Sequence, residues 1–440
     1  MYFVIIIMQS FQDLNNDFSN IWELYGVKSN PFSTSPLLVR GGVLPIESFS
    51  GRKNEIDRLF KQFRSAGGGR ILVVGDVGVG KTTFVNVARH SAIQKGFFSP
   101  IKEIAVIGEW TSSDFILNTL AGIYSTIELQ KNDVRLLSND SIEKLKSLVE
   151  LNSVEKKIVG ASVLNVGGEY QEERKTPHTI TMVALQNFFE KIVLEIHEKT
   201  GKEVIIHYNN LERLPEQSVR KIFEDLRDFF QTPNVHFIFV GNLTVHNIFQ
   251  SMPRVASIIS DTPILLKEMK LVEIEEAINV RLDKLRITDL NVIRPFTPNA
   301  LDALHVLYNG NIRNILNSLS TAVLDGTREK AIVLTQTSLS KILKEIVEKR
   351  YLRDLPHNAK KILLEATKYE EITNKQLSAI TKIARPNVSV YIHDLQTAGC
   401  LYLRRKDGKD KYWSADPKLK WLLLQENTEE EKQKKMEHYM

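Results

Sequence analysis

Gly75-Asp76-Val77-Gly78-Val79-Gly80-Lys81-Thr82 spells Gly-x-x-x-x-Gly-Lys-Thr directly after the apolar run Ile71-Leu72-Val73-Val74. Placement gives this motif its meaning. A phosphate loop works where a buried strand ends and a helix begins, because the helix's unpaired N–H groups then point at the anion. Phe84, Val85, Val87 and Ala88 continue at helical spacing after the loop. The glycines let the backbone wrap the phosphates, Lys81 is placed to reach the β and γ oxygens, and the Thr82 hydroxyl to hold Mg²⁺. The expected cofactor-binding residues are therefore Gly75, Gly78, Val79, Gly80, Lys81, Thr82 and Thr83. A nucleoside triphosphate with Mg²⁺ is the expected ligand.

Working outward, 440 residues suffice for two to four domains with a large core. A hydrophobic share of 42% with 25% charged residues is ordinary for a soluble globular protein. One cysteine, Cys400, excludes a disulfide framework within the chain and fits a reducing compartment, so a cytoplasmic location is expected. The apolar run Tyr2 to Met8 is far short of the roughly 18 residues that span a bilayer. It also lacks the basic flank and cleavage site of a signal peptide, and Met8 serves as well as Met1 for a start. No membrane partner is expected. His207 and His393 lack companions at metal-ligand spacing, so no zinc is expected either.

Apolar runs alternate with amphipathic stretches over residues 24–266, the pattern of an α/β fold with a mainly parallel sheet. Its candidate strands are Arg70–Gly75, Ile101–Ile107, Val204–Asn209, His236–Asn242 and Pro263–Leu266. The charge-rich helical stretch Thr126 to Lys157 reads as a solvated elaboration of its surface. Residues 267–350 are helical apart from a break at Arg294–Pro298, residues 351–425 form a separate small domain, and a leader (1–23) and a charged tail (426–440) flank the whole. The net charge of +5 is concentrated in the small domain, where Arg353 to Lys420 carry fourteen Lys/Arg against eight Asp/Glu. Such a local surplus points to a nucleic-acid partner.

That domain reads helix, helix, helix, strand. Thr373 is placed to cap the second helix and Pro386 suits the first turn of the third. Val388, Ile392 and Leu395 share its inner face, which leaves Arg385, Asn387, Ser389, Val390 and His393 outward. Asp407-Gly408 is a hairpin signal in a basic tip that carries Arg404, Arg405, Lys409 and Lys411. The segment resembles a winged helix-turn-helix of the MarR-like kind. The resemblance implies a third helix in the major groove of duplex DNA and a wing on phosphate or in the minor groove. A module that docks protein through the same surface is the competing reading.

Elsewhere the chain resembles the AAA+ superfamily, a P-loop parallel-sheet core with an all-α lid. His236-Phe-Ile-Phe-Val-Gly-Asn242 ends where such proteins carry sensor 1, and Gly310-Asn311-Ile312-Arg313 looks like sensor 2, whose arginine leans over the γ-phosphate. Trp22-Glu-Leu-Tyr-Gly, Asn30-Pro31-Phe32 and Phe49-Ser-Gly51-Arg52-Lys-Asn-Glu55 look like the N-terminal box of origin-recognition-type initiator ATPases, which caps adenine and so implies ATP. Arg254 lies where these proteins place an arginine finger that acts on a neighbour, implying a homo-oligomer or an AAA+ partner subunit. Asn242 also reads as a plain turn residue, Arg313 as a solvent-facing one, and Arg254 as a surface charge.

The pattern departs at one strand. Val204-Ile-Ile-His-Tyr-Asn209-Asn210 ends in two amides where the family has Asp-Glu. An amide takes no proton from water and brings the metal no charge, so Asn209 would join Thr82 at Mg²⁺ only as a neutral ligand. Glu212 matches the second acid of the Asp-x-x-Asp/Glu form of the related STAND and KAP NTPases. It is either the remaining catalytic carboxylate or a solvated charge beside a slow or lost hydrolysis. The sequence thus implies an ATP-binding, DNA-binding switch that hydrolyses slowly. The rivals are an ATP-switch scaffold of a mobile-element or defence system, its winged helix docking protein, and a signalling-type regulator whose winged helix packs on the core.

Overall fold

The computed structural model describes residues 20–65, 67–130, 136–162, 181–260, 262–328 and 330–424, with side chains of the fourth helix described only to residue 150. The leader up to residue 19, with both candidate start methionines, and the 426–440 tail lie outside the described residues. Two compact units result: Pro36–Lys267, and the described residues on either side of it in sequence. No helix among the described residues is long and apolar enough to cross a membrane.

The first unit runs α1 (Lys53–Phe63), β1 (Arg70–Gly75), α2 (Lys81–Gln94), β2 (Ile104–Ala105), α3 (Ser112–Leu129), α4 (Asn139–Ser162) and α5 (Met182–Thr200). It continues with β3 (Val204–Asn209), α6 (Glu216–Asp225), β4 (Val235–Gly241), α7 (Leu243–Gln250), α8 (Pro253–Ala256) and β5 (Ile264–Leu266). The strands form one parallel sheet in the order β2-β3-β4-β1-β5. Helices cover both faces, which is why the strand sequences are apolar toward both sides rather than alternately, with Arg70, His207, Asn209 and His236 as the polar exceptions in β1, β3 and β4. Leu72, Val74, Ile206, Tyr208, Phe237 and Phe239 fill one side. Ile71, Val73, Ile205, Ile238 and Val240 fill the other, against Phe84, Val85 and Ala88 of α2. The first side is dense in aromatic contacts, with Phe223 4.4 Å from Phe249 and 4.9 Å from Phe230 between ring centres. Truncating one of these rings to Ala costs about 3–5 kcal/mol.

Two expectations change here. The strand expected over Ile101–Ile107 is reduced to Ile104–Ala105, because β2 lies at the sheet edge and pairs only with Tyr208 and Asn209 of β3. The stretch expected to be a solvated elaboration packs inward: Leu136, Leu137 and Leu145 join the core beneath α3. The charged residues described in this stretch, Glu128, Asp140, Glu143, Lys144, Lys146 and Glu150, are exposed.

The second unit contains α9 (Leu271–Leu285), α10 (Pro298–Tyr308), α11 (Ile312–Gly326) and α12 (Gln336–Val347), then a π-helical turn at Glu348–Leu352. α13 (His357–Ala366), β6 (Ile372–Thr373), α14 (Asn374–Thr381), α15 (Arg385–Thr397), β7 (Leu401–Asp407) and β8 (Asp410–Ala415) follow. The strands make an antiparallel sheet ordered β6-β8-β7. The short β6 has no signal in the sequence; Thr373 within it also caps α14, forming a capping box with Gln376. Residues 20–35, read from the sequence mostly as the start of the α/β core, pack with these helices instead. The Tyr25 hydroxyl is 2.6 Å from Thr327 Oγ1. Arg281 Nη1 donates to Pro31 O at 3.2 Å and Ser33 O at 3.0 Å, and burial pulls its pKa down to about 10.

Candidate nucleotide and nucleic-acid sites

The loop between β1 and α2 needs its glycines for two separate reasons. A side chain at Gly75 would put Cβ 2.4 Å from Leu266 O on β5. Gly78 and Gly80 have φ of +92° and +93°, a region that costs an L-residue strain. No side chain caps α2, so its first N–H groups face the loop's concavity as a ready anion site. Lys81 is buried, a state a lysine tolerates only when paired; its Nζ donates to Gly75 O at 2.8 Å and Asp76 O at 2.9 Å. Thr83 points its hydroxyl elsewhere, accepting from Leu37 N at 3.2 Å, while Asn86 Nδ2 donates to Leu37 O at 3.0 Å. Of Thr83, the backbone remains for a phosphate.

Sequence reasoning gave Arg52 no role. Its guanidinium is buried and reaches the loop from outside, donating to Val79 O at 3.0 Å and to Lys267 O at 2.6 Å. Arg52 follows Gly51 and itself sits at φ +57°, before the first turn of α1. That backbone swings the side chain under the phosphate loop. A charged residue inside an otherwise helical box was the available signal.

Three adjacent strands bring the other residues to one edge of the sheet. Val74 pairs with Gly241, which sets Asn242 beside the start of the loop, and β3 ends next door in Asn209. Open α/β sheets bind ligands at this carboxyl edge. The Asn209 amide and the Thr82 hydroxyl touch, with Nδ2 to Oγ1 3.0 Å and Oγ1 to Oδ1 3.3 Å. Two neutral oxygens fit Mg²⁺ that keeps its waters and arrives with phosphates, and no group of three or more acidic, His or Cys side chains able to hold a metal occurs among the described residues. Asn242 spends Oδ1 on capping α7, accepting from Val245 N at 3.1 Å, so only its Nδ2 could face a water. Glu212 sits in the turn Leu211–Arg213, its Oε2 buried and without a hydrogen-bond partner. Arg254 is exposed on α8. Arg313 is exposed in the first turn of α11, in the other unit, where Asn311 caps the helix.

In the small C-terminal module Val388, Ile392 and Leu395 are buried, and Arg385, Asn387, Ser389 and His393 exposed. Asn374 Nδ2 donates to Ser389 Oγ at 2.9 Å and Trp413 Nε1 donates to Asn374 Oδ1 at 2.7 Å, which locks the start of α14 to α15 and the hairpin. Lys409 and Lys411 are exposed at the tip. The two hairpin arginines are already engaged. Arg405 Nε donates to both oxygens of Glu371 at 3.0 and 3.1 Å, and its guanidinium carbon lies 3.5 Å from the Tyr412 ring centre. That bonding holds the Glu371 carboxyl below its usual range. Arg404 Nη1 donates to Glu370 O at 3.3 Å and lies 3.6 Å from its carboxylate.

Sheet order β5-β1-β4-β3-β2 with the phosphate loop after β1 defines a P-loop nucleotide-binding domain of AAA+ type. Residues 54–248 match the model of the KAP family P-loop domain. No curated protein matches the chain significantly. Among solved structures, the Aeropyrum pernix ORC1 protein in complex with DNA is 15% identical, with 91% of this chain and 94% of that one covered and a TM-score of 0.42. The Aeropyrum pernix ORC2 protein (ADPNP-ADP complexes) is 13% identical over 90% and 96% of the two chains, with a TM-score of 0.45. CDC6P from Pyrobaculum aerophilum is 12% identical over 90% and 97%, with a TM-score of 0.41. At these values the sheet order, not the likeness, carries the fold assignment.

Proposed function

We propose that the chain is an ATP-binding AAA+ switch of the initiator type, acting on duplex DNA through a C-terminal winged helix and hydrolysing ATP slowly. The observation that carries the reading is the Thr82–Asn209 contact at the carboxyl edge of the sheet. The site is complete for holding a triphosphate, yet its metal position has only neutral protein ligands. Lys81 and the α2 N–H groups would bind the phosphates, with Thr82 and Asn209 holding Mg²⁺, whose charge neutralises the phosphate oxygens. Asn242 Nδ2 would orient the attacking water, with Glu212 as the nearest acid in sequence. Arg313 would tie the helical lid to the γ-phosphate, suited by its forked, permanently charged head, and Arg254 would serve a neighbouring subunit in an oligomer. The ATP preference rests on the resemblance of the N-terminal box, and a cytoplasmic location on the single, buried Cys400.

The exposed Arg385, Asn387, Ser389 and His393 on α15, beside a basic hairpin, support duplex binding. A second reading, a scaffold in a mobile-element or defence system whose winged helix docks protein, is favoured by the engagement of Arg404 and Arg405 with Glu370 and Glu371. Filter binding of the quadruple variant Arg404→Ala, Arg405→Ala, Lys409→Ala, Lys411→Ala to duplex DNA separates the two. On the DNA reading, affinity drops and the slope of log K against log salt flattens by up to about 0.9 per lost contact. Wild-type affinity and slope in that variant would leave the protein-docking reading standing.

A further inference from the structure

After β8 the chain turns back onto the helices it came from. A 3-10 helix, Pro417–Leu423, with Leu424 capping it, packs on α11 and α12, and Leu419, Trp421 and Leu424 are buried. Three buried polar groups fasten it. Trp421 Nε1 donates to Ser318 Oγ at 2.7 Å, and Tyr308 Oη donates to Pro417 O at 3.0 Å. Ser318 Oγ lies 3.3 Å from Tyr308 Oη and 2.8 Å from Asn314 O, so its single proton serves one of the two. Burial pushes the Tyr308 hydroxyl's pKa up, which keeps it a donor. A further bond joins Ser340 Oγ to Leu424 O at 3.3 Å.

The positions of these partners are what matter. Ser318 lies on α11, the helix whose first turn holds Arg313, and its acceptor Asn314 is the residue after Arg313. Tyr308 ends α10, directly before Asn309-Gly310, where a Cβ on Gly310 would lie 2.2 Å from Met269 O. That corner has no slack. The other connection to the C-terminal module is of opposite character: the π-helical turn Glu348–Leu352 buries no residue. π-Helical turns are among the places where helices kink. The module therefore hangs on one soft connection and one fastened one.

We propose that residues 417–424 are a strap that passes the position of the Arg313 helix to the C-terminal module, with Trp421, Ser318 and Tyr308 as its positioning residues. This rests on the reading of Arg313 as the group that senses the γ-phosphate. A shift or rotation of α11 moves Ser318, and the buried indole must follow or leave an unpaired donor, which is costly. The π-turn gives way while the strap pulls.

The test needs no DNA. Spin labels at Val306→Cys on α10 and Asp410→Cys at the hairpin tip, in a Cys400→Ala background, report the distance between helices and module. The expected record is a narrow distribution that shifts when Mg·ATP is added to the wild-type strap. In Trp421→Phe, which keeps the packing and loses the N–H, the shift falls at least about twofold, the low end of what one residue changes in a coupling network. Tyr308→Phe, which removes only a hydroxyl, behaves alike and covers the case in which the Trp421 variant folds poorly. Equal shifts in the wild type and both variants overturn the strap, as does a wild type that binds fluorescent ATP without any shift. A wild type that binds no fluorescent ATP fails the nucleotide reading instead. A shift seen in a protein that retains no duplex on filters fails only the DNA reading.

Discussion

Replacing Asn209 by Asp restores the carboxylate that other AAA+ sites carry and asks whether this residue faces the metal position. Asn209 is 5% exposed and meets Thr82 Oγ1 at 3.0 Å. Asp keeps the volume and can accept the Thr82 proton, but it loses the donor and buries a charge with one hydroxyl partner. Leaving a buried polar group so poorly satisfied costs about 1–3 kcal/mol. For a unit of this size that is a fall in Tm of roughly 3–10 °C without ligand. Mg²⁺ with ATP reverses the sign, because the carboxylate then opposes a cation. The Mg²⁺ dependence of nucleotide affinity should steepen about tenfold, equivalent to some 1.4 kcal/mol. Thermal unfolding with and without Mg·ATP, and fluorescent-ATP titration in Mg²⁺ against EDTA, measure both effects. A variant destabilised equally under all conditions, with the wild-type Mg²⁺ dependence, would place Asn209 away from the metal and refute the site as drawn.

Lys81→Ala should abolish ATP binding and leave the circular dichroism spectrum unchanged, since Lys81 Nζ bonds only loop carbonyls among the hydrogen bonds described above; retained affinity would remove the nucleotide reading. Glu371→Gln removes the charge holding Arg405, so duplex affinity should rise severalfold and the salt slope steepen by up to about 0.9, as measured by filter binding. His236, whose Nε2 lies 2.7 Å from Glu203 Oε2, has its pKa lowered by burial, against the opposing pull of Glu203. The unfolded chain then takes up the proton first. Stability should therefore fall as pH drops below about 6.5, at up to roughly 1.4 kcal/mol per pH unit until the folded pKa is reached. Urea titrations between neutral and acid pH should show His236→Asn losing that part of the slope.

What the sequence disclosed was local. The phosphate loop is eight consecutive residues, the central strands are apolar runs broken only by His207 and His236 before their ends, and the inner face of α15 follows from the spacing of Val388, Ile392 and Leu395. What it hid depends on partners far along the chain. Arg52 grips carbonyls 27 and 215 residues away, Arg405 meets Glu371 at a separation of 34, and Trp421 meets Ser318 at 103. No periodicity encodes such pairs. The charge-rich stretch misled for a related reason: Leu145 looks unremarkable among lysines and glutamates, yet it is buried in the core with Ile142 and Leu148 partly buried against it.

The two amides at the end of β3 are not interchangeable with the acids of the Asp-Glu pattern. Asn210 has φ +65°, the left-handed region that Asn enters easily and that costs most L-residues roughly 1–2 kcal/mol. A glutamate there would work against the backbone before it did any chemistry. The turn that follows carries Glu212 with one carboxylate oxygen buried and unpartnered. On the proposed function, a phosphate loop with neutral ligands at the metal position and Glu212 as the remaining acid would favour long occupancy over fast turnover. On the switch reading that is a useful combination: the time the C-terminal module spends in its ATP-set position is then governed by how long the nucleotide stays whole.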